Sequence, residues 1–135
     1  MNKIQIVRPL TVKARVTEKL KSRLVAELQA AIRQVEAEID ELDSQVKRAA
    51  LSPTLTAQQQ LALRQAVELE KEKRQAEKQE LMRRVTEVAG LPLGSEVVTG
   101  TVQAVAEVGV GDDWDGLFAT EVLVEDGRVV AIRRT

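Results

Sequence analysis

Ala50-Leu51-Ser52-Pro53-Thr54-Leu55 is the one break in a helix-forming stretch that runs from Thr17 to Gly90, and what lies on either side of it decides the fold. Pro53 lacks the N–H that would continue a helix and drives the preceding residue toward extended backbone, so the first helix stops there. Thr56-Ala57-Gln58-Gln59 then reads as a capping box, with a hydroxyl at the cap and an amide three residues on, and opens a second helix. A short connection makes the two helices antiparallel neighbours. The sequence thus predicts helices over about 17–51 and 56–89, each on the order of 50 Å long.

The outer ends of this hairpin carry matching signals. Thr17-Glu18-Lys19-Leu20 supplies a hydroxyl cap and an early acid for the positive end of the first helix. Ala89-Gly90 offers a glycine for a left-handed cap, and Pro92 follows it. Between these ends the first helix repeats Val25, Leu28, Ile32, Val35, Ile39, Leu42, Val46 and Ala49 at alternating three- and four-residue spacing, a coiled-coil pattern. The second helix is poorer. From Glu70 to Glu80 it has no large aliphatic residue. Folding about Pro53 sets that charged stretch against residues 26–36, where Leu28, Ile32 and Val35 need cover. Burying a side chain of that size gains ~1.5–3 kcal/mol. The expectation is a homo-oligomer in which Val25, Leu28, Ile32, Val35 and Ile39 complete their burial against a second copy. Lys, Arg and Gln stems covering the stripe within one chain are the alternative.

Both flanks read as strand. Leu10, Val12, Ala14 and Val16 alternate with Thr11, Lys13 and Arg15, the period of a half-buried strand, and Arg8-Pro9 suggests an edge position or a bulge. Residues 96–108, 117–125 and 128–133 form three more. Asp126-Gly127 between the last two is a two-residue type I′ hairpin signal. Simple alternation about that turn groups Val122, Val124, Val129 and Ala131 on one face, and Leu123, Val130 and Ile132 on the other. The fold class expected is α+β. A long antiparallel helical hairpin, a coiled coil over 17–90, is inserted between the first strand and the last three strands of a small antiparallel β-sheet or barrel-like β domain built from 1–16 and 91–135.

Composition narrows the chemistry. The chain has no Cys, no His and no Tyr, which removes thiolate chemistry, disulfides and the side chain best suited to proton transfer near neutrality. No enzyme activity, small-molecule substrate or cofactor is expected. Nor is a signal peptide or membrane span, and the expected setting is the cytoplasm. The net charge of −1 is unevenly spread: residues 1–16 hold four basic and no acidic side chains, 17–89 are neutral, and 90–135 are acidic. That distribution suggests a basic strand beside acidic ones in one sheet. Lys3, Arg8, Lys13 and Arg15 could touch phosphate in an RNA- or ribosome-associated factor, but little positive charge is left over for nucleic acid.

Gly109-Val110-Gly111-Asp112-Asp113-Trp114-Asp115-Gly116 concentrates carboxylates and glycines. As a calcium loop it fails, because the twelfth position offers no bidentate acid, and no metal site is expected. It is not a phosphate cradle either, since no Lys-Ser/Thr pair follows. A strand-joining loop is the expectation, with Trp114 and Phe118 as candidate contacts to an unknown protein partner. The run Glu36, Glu38, Asp40, Glu41, Asp43 reads as a solvated helix face.

Leu10-Thr11-Val12-Lys13 with Val16-Thr17-Glu18-Lys19, then Gly94-Ser95-Glu96-Val97-Val98-Thr99-Gly100, Val110-Gly111-Asp112-Asp113-Trp114 and Glu125-Asp126-Gly127-Arg128-Val129-Val130, resemble the opening and closing blocks of the YlqD-like family of bacterial proteins. That resemblance spans nearly the whole chain. It implies a small bacterial protein with no assigned activity and carries over no catalytic or binding residues. The leading expectation for function is a non-enzymatic, self-associating protein that presents its arm or sheet to a partner.

Overall fold

A computed structural model of the chain describes residues 2–134. The order of elements is β1 (Lys3–Arg15), α1 (Glu18–Ala50), α2 (Ala57–Ala89), β2 (Glu96–Gly109), the single-turn 3-10 helix η1 (Asp115–Phe118), β3 (Thr120–Glu125) and β4 (Arg128–Arg134). Two helices are therefore inserted between β1 and the other strands, as the prolyl break foretold. The chain divides into two compact units, one of residues 1–21 with 91–135 and one of residues 22–90.

In the helical unit the start of α2 follows the sequence closely. Thr56 is the cap: its hydroxyl accepts from the Gln59 amide at 3.1 Å, and the Gln59 side chain accepts from the Thr56 amide at 2.9 Å. Removing the hydroxyl in Thr56→Ala is expected to lower stability by about 1 kcal/mol, read by thermal denaturation followed at 222 nm. The other end differs from expectation. Gly90 stays right-handed, with φ −86°, and its N–H is shared between the carbonyls of Thr86 and Glu87. The helix is ended instead by Leu91, which Pro92 holds out of the helical region. The left-handed residue is Gly94, φ +85°, in the turn where Ser95 N–H reaches the Pro92 carbonyl at 3.2 Å.

The facing register of α1 and α2 also differs from a fold about Pro53. Lys71 pairs with Asp43 at 2.8 Å, Arg74 with Glu38 at 2.8 Å and Lys78 with Glu36 at 3.4 Å. The charged stretch of α2 thus lies against residues 36–43 rather than 26–36. Residues 51–56 form the connection between the two helices. Near the tip, the Gln60 amide already reaches the Ala49 carbonyl at 3.2 Å.

The strands form one open sheet in the order β2-β1-β3-β4. The β1–β2 and β3–β4 pairs are antiparallel, but β1 and β3 run parallel, from Thr11↔Glu121 to Ala14↔Val124, so the sheet is mixed. The parallel pair follows from topology: β2 returns beside β1, and the chain then crosses β1 through η1 before β3 begins. Since β3 covers β1 only from Thr11 onward, Pro9 stands on a stretch with one neighbour, where its missing N–H breaks no ladder. Two bulges adjust the pleat, one between Val12 and Lys13 against β2 and one between Leu123 and Val124 against β4. At the hairpin Asp126 and Gly127 have φ +48° and +84°, the type I′ turn expected.

Candidate interaction surface

The second bulge corrects the faces read from alternation. Val130 is the extra residue, so Leu123 pairs with Ala131 and Val122 with Ile132. Ala131 therefore shares a face with Leu123, and Ile132 with Val122, the reverse of the simple pattern. One slipped residue exchanges the faces.

The face of Leu123 carries the charges. Lys13 reaches Glu121 at 2.8 Å, Arg15 reaches Glu125 at 3.4 Å, and Arg133 holds Glu96 through two bonds of 2.6 and 2.8 Å while also reaching Glu121 at 3.5 Å. Arg133 and Glu96 sit on the two edge strands, so their bond closes over β1 and β3 and the sheet curls toward this side. Leu123 lies within that curl, 1% exposed. The remaining basic residues of β1 are engaged as well. Lys3 pairs with Glu107 at 3.3 Å, and Arg8 donates to the Leu117 carbonyl and to the Thr120 hydroxyl, the latter at 2.9 Å. All four candidate phosphate contacts thus have acceptors within the chain, so phosphate would have to displace them.

Bonds from Lys13 hold the Glu121 carboxyl below the usual carboxylate range, and bonds from Arg133 do the same for Glu96. A folded-state pKa below the unfolded one contributes stability that is present above the unfolded value and lost as pH falls through the folded one. The melting temperature is therefore expected to fall on acidification below the ordinary carboxylate range. Glu96→Gln with Glu121→Gln should flatten that fall. An equal fall in the variant would show that this network does not set the acid limit.

The loop after β2 is tied by its own carboxylate. Asp112 accepts from the Gly109 amide at 2.7 Å, and its own amide donates back to the Gly109 carbonyl at 3.2 Å. Among the described residues no group of three His, Cys, Asp or Glu converges to hold a metal ion. Beyond the loop η1 forms one turn where the sequence suggested strand, and it places Trp114 against Phe118 edge-to-face at 5.1 Å, both rings exposed. An open cleft of about 620 Å³ lies beside them, lined by Glu107, Asp112, Asp113, Leu117 and Arg134 among others.

On the arm the five candidate self-association residues part company. Val35 and Ile39 are 3% and 8% exposed, buried within the chain itself. Arg74 and Lys78 stand at this level through their ion pairs with Glu38 and Glu36, and with Val35 and Ile39 already buried inside one chain the expectation that these two await a partner is corrected. Val25, Leu28 and Ile32 are half-buried. Leu28 shares a groove with Leu24, Leu81 and Val88, so apolar residues of α2 do meet it.

The largest apolar exposure lies elsewhere. Of the large apolar residues that remain exposed, most belong to the sheet unit, including Ile4, Val102, Val129 and Ile132 on one face and Val7, Val98 and Val105 on the other. With Leu10, Val12, Val122 and Val124 they form the face opposite the ion pairs. No single local signal marks this face, because the bulge at Val130 decides which side Ile132 takes.

These elements define an α+β protein in which a helical hairpin is inserted into a four-stranded mixed sheet. A crystal structure of a protein of unknown function from Synechococcus sp. WH 8102 has a matching fold, with a TM-score of 0.86 over 98% of this chain and 97% of that one, at 21% sequence identity. The YlqD protein family matches residues 4–133, and the chain belongs to that family. The uncharacterised protein YlqD of Bacillus subtilis (strain 168) is 27% identical over 135 residues, which cover 97% of this chain and 99% of that protein. None of the described helices is long and apolar enough to cross a membrane.

Proposed function

We propose that this chain is a non-enzymatic protein-interaction module of the cytoplasm, and that its interaction surface is the apolar face of the sheet. One observation carries the reading. Val102, Val129 and Ile132, on a single face, are 50%, 62% and 68% exposed, whereas the arm buries Val35 and Ile39 within the chain. With the half-buried Leu10, Val12, Val122 and Val124 between them, these edge residues make an apolar face of the kind that marks contact surfaces. Trp114 and Phe118, also exposed, add aromatic area in the same unit. The non-enzymatic part rests on composition: without His, Cys or Tyr, the groups left for proton transfer are chiefly carboxylates, and those of the charged face are held in ion pairs. The nucleic-acid alternative has less support, because Lys3, Arg8, Lys13 and Arg15 are already engaged.

The test is recovery of bound protein from a bacterial lysate with the full chain as bait. Val102→Ser with Ile132→Ser is expected to lose what the unaltered chain retains, while Leu28→Ala on the arm retains it. Retention by the sheet variant together with loss by the arm variant would move the surface back to the arm.

A further inference from the structure

We propose that the outer edge of β2 adds a strand, and that the strand is β2 of a second copy of this chain, running antiparallel about a two-fold axis at Ala104. The proposal stands apart from the reading of the apolar face, since it concerns main-chain groups at the rim of the sheet.

The two edge strands, β2 and β4, are not alike. β4 has seven residues, carries Arg128, Arg133 and Arg134, and is bulged at Val130. Short length, cations and bulges are what keep an edge from pairing. β2 has fourteen residues and neither lysine, arginine nor proline. Its bulge, at Thr99, leaves the register from Gly100 to Gly109 unbroken. β1 is the element that packs along it.

The phase of the ladder identifies the free groups. The Val110 N–H donates to the Asn2 carbonyl at 3.1 Å, so the even-numbered residues from Gly100 to Val110 bond toward β1. Thr101, Gln103, Val105, Glu107 and Gly109 then turn their main-chain groups outward. Gly109 agrees with that phase: its N–H donates to the Asp112 carboxylate at 2.7 Å, and its carbonyl accepts from the Asp112 N–H at 3.2 Å. Asp112 thus closes the edge at one end, and the bulge at Thr99 limits it at the other. Between them Thr101, Gln103, Val105 and Glu107 each offer a donor and an acceptor, a row that an extended strand satisfies.

Main-chain bonds carry no sequence, so side chains decide whether a copy is accepted. Centred on Ala104, the pairing sets Thr101 against Glu107 and Gln103 against Val105, and it engages every outward residue of the row. Val102 meets Ala106. Ala104 meets its own mate at a pair without main-chain bonds, where side chains come nearest and a methyl group fits. Glu107 is the one charged residue between Gly100 and Gly109, and it lies opposite a threonine. Arg8 pairs with Ala104 on β1, so Arg8 and its mate stand three strand spacings apart. That is about 14 Å, beyond the ~8 Å screening length of physiological salt. Because β4 is guarded, the assembly closes at two chains and does not grow. A ladder this short gains little beyond the cost of association, so the pair separates on dilution.

Sedimentation equilibrium of the full chain from about 1 μM to about 1 mM, with amide hydrogen exchange on the same samples, tests this. The mass is expected to climb from one chain toward two. The amides of Thr101, Gln103, Val105 and Glu107 should slow severalfold at the concentrated end, while those of Val102, Ala104 and Ala106 are protected throughout. Gln103→Pro removes an outward N–H without touching the ladder to β1, and should weaken association at least tenfold. Gln103→Lys with Val105→Lys, both at exposed positions, sets ammonium groups opposite each other and should do the same even if the proline variant fails to fold. Ile132→Ser on the apolar face should leave the climb unchanged. A mass of one chain at every concentration would overturn the second copy, whatever the apolar face retains from lysate. A climb that both edge variants leave undiminished, or that Ile132→Ser abolishes, would overturn the edge as its site.

Discussion

Leu123→Ala is expected to lower stability by about 2–5 kcal/mol, the largest effect of any single truncation in the sheet. Leu123 is 1% exposed and sits where the sheet curls beneath the bond between Arg133 and Glu96. The cavity left by truncation would have ion pairs on its rim, and these cannot move inward without losing solvent. Small domains have net stabilities of roughly 5–15 kcal/mol, so the loss is a large share of the whole. Ile132→Ala, on the neighbouring strand but on the opposite, open face, should change stability by less than about 1 kcal/mol. The contrast matters because plain alternation grouped these two residues on one side. Urea denaturation of both variants separates the readings: equal losses would mean that the bulge at Val130 does not set the pleat.

Ile39→Ala is expected to lower stability by about 2–4 kcal/mol, although the stretch of α2 facing it is charged. The physical claim is that the stems of Arg74 and Lys78 act as apolar cover while their heads pair with Glu38 and Glu36. Arg74→Met keeps the length and the apolar stem, and should change stability by no more than about 1 kcal/mol. Arg74→Ala removes both and should lose more than Arg74→Met does. If charge were what counted, methionine and alanine would be equally harmful. Helicity followed through chemical denaturation provides the comparison.

The hairpin was legible in the sequence because its signals are local. Pro53, the reciprocal bonds of Thr56 and Gln59, and the heptad spacing of α1 each act within a few residues. The same holds for Asp126-Gly127, whose two positive φ values are a property of the turn alone. What was not legible depends on counting across space. The register of α2 on α1 is set by pairing along the full length of both helices, and the apparent gap under Leu28, Ile32 and Val35 moved with it. The faces of β4 exchanged at one bulge, which no local preference announces. The basic first strand was foreseen as a neighbour of acidic ones, and the ion pairs of Lys13 and Arg15 bear that out. The parallel pairing of β1 with β3 was not foreseen, since it follows from the route of the chain through η1.

On the proposed reading, contact with other chains falls on the sheet and not on the arm. Methyl resonances of the isoleucines, leucines and valines test it most directly, recorded on the full chain alone and with the protein it retains from lysate. Shifts gathered at Val102, Val122, Val129 and Ile132, with Leu28, Ile32 and Val35 unmoved, are the predicted result. Shifts gathered at Leu28 and Ile32, with the sheet methyls unmoved, would contradict it.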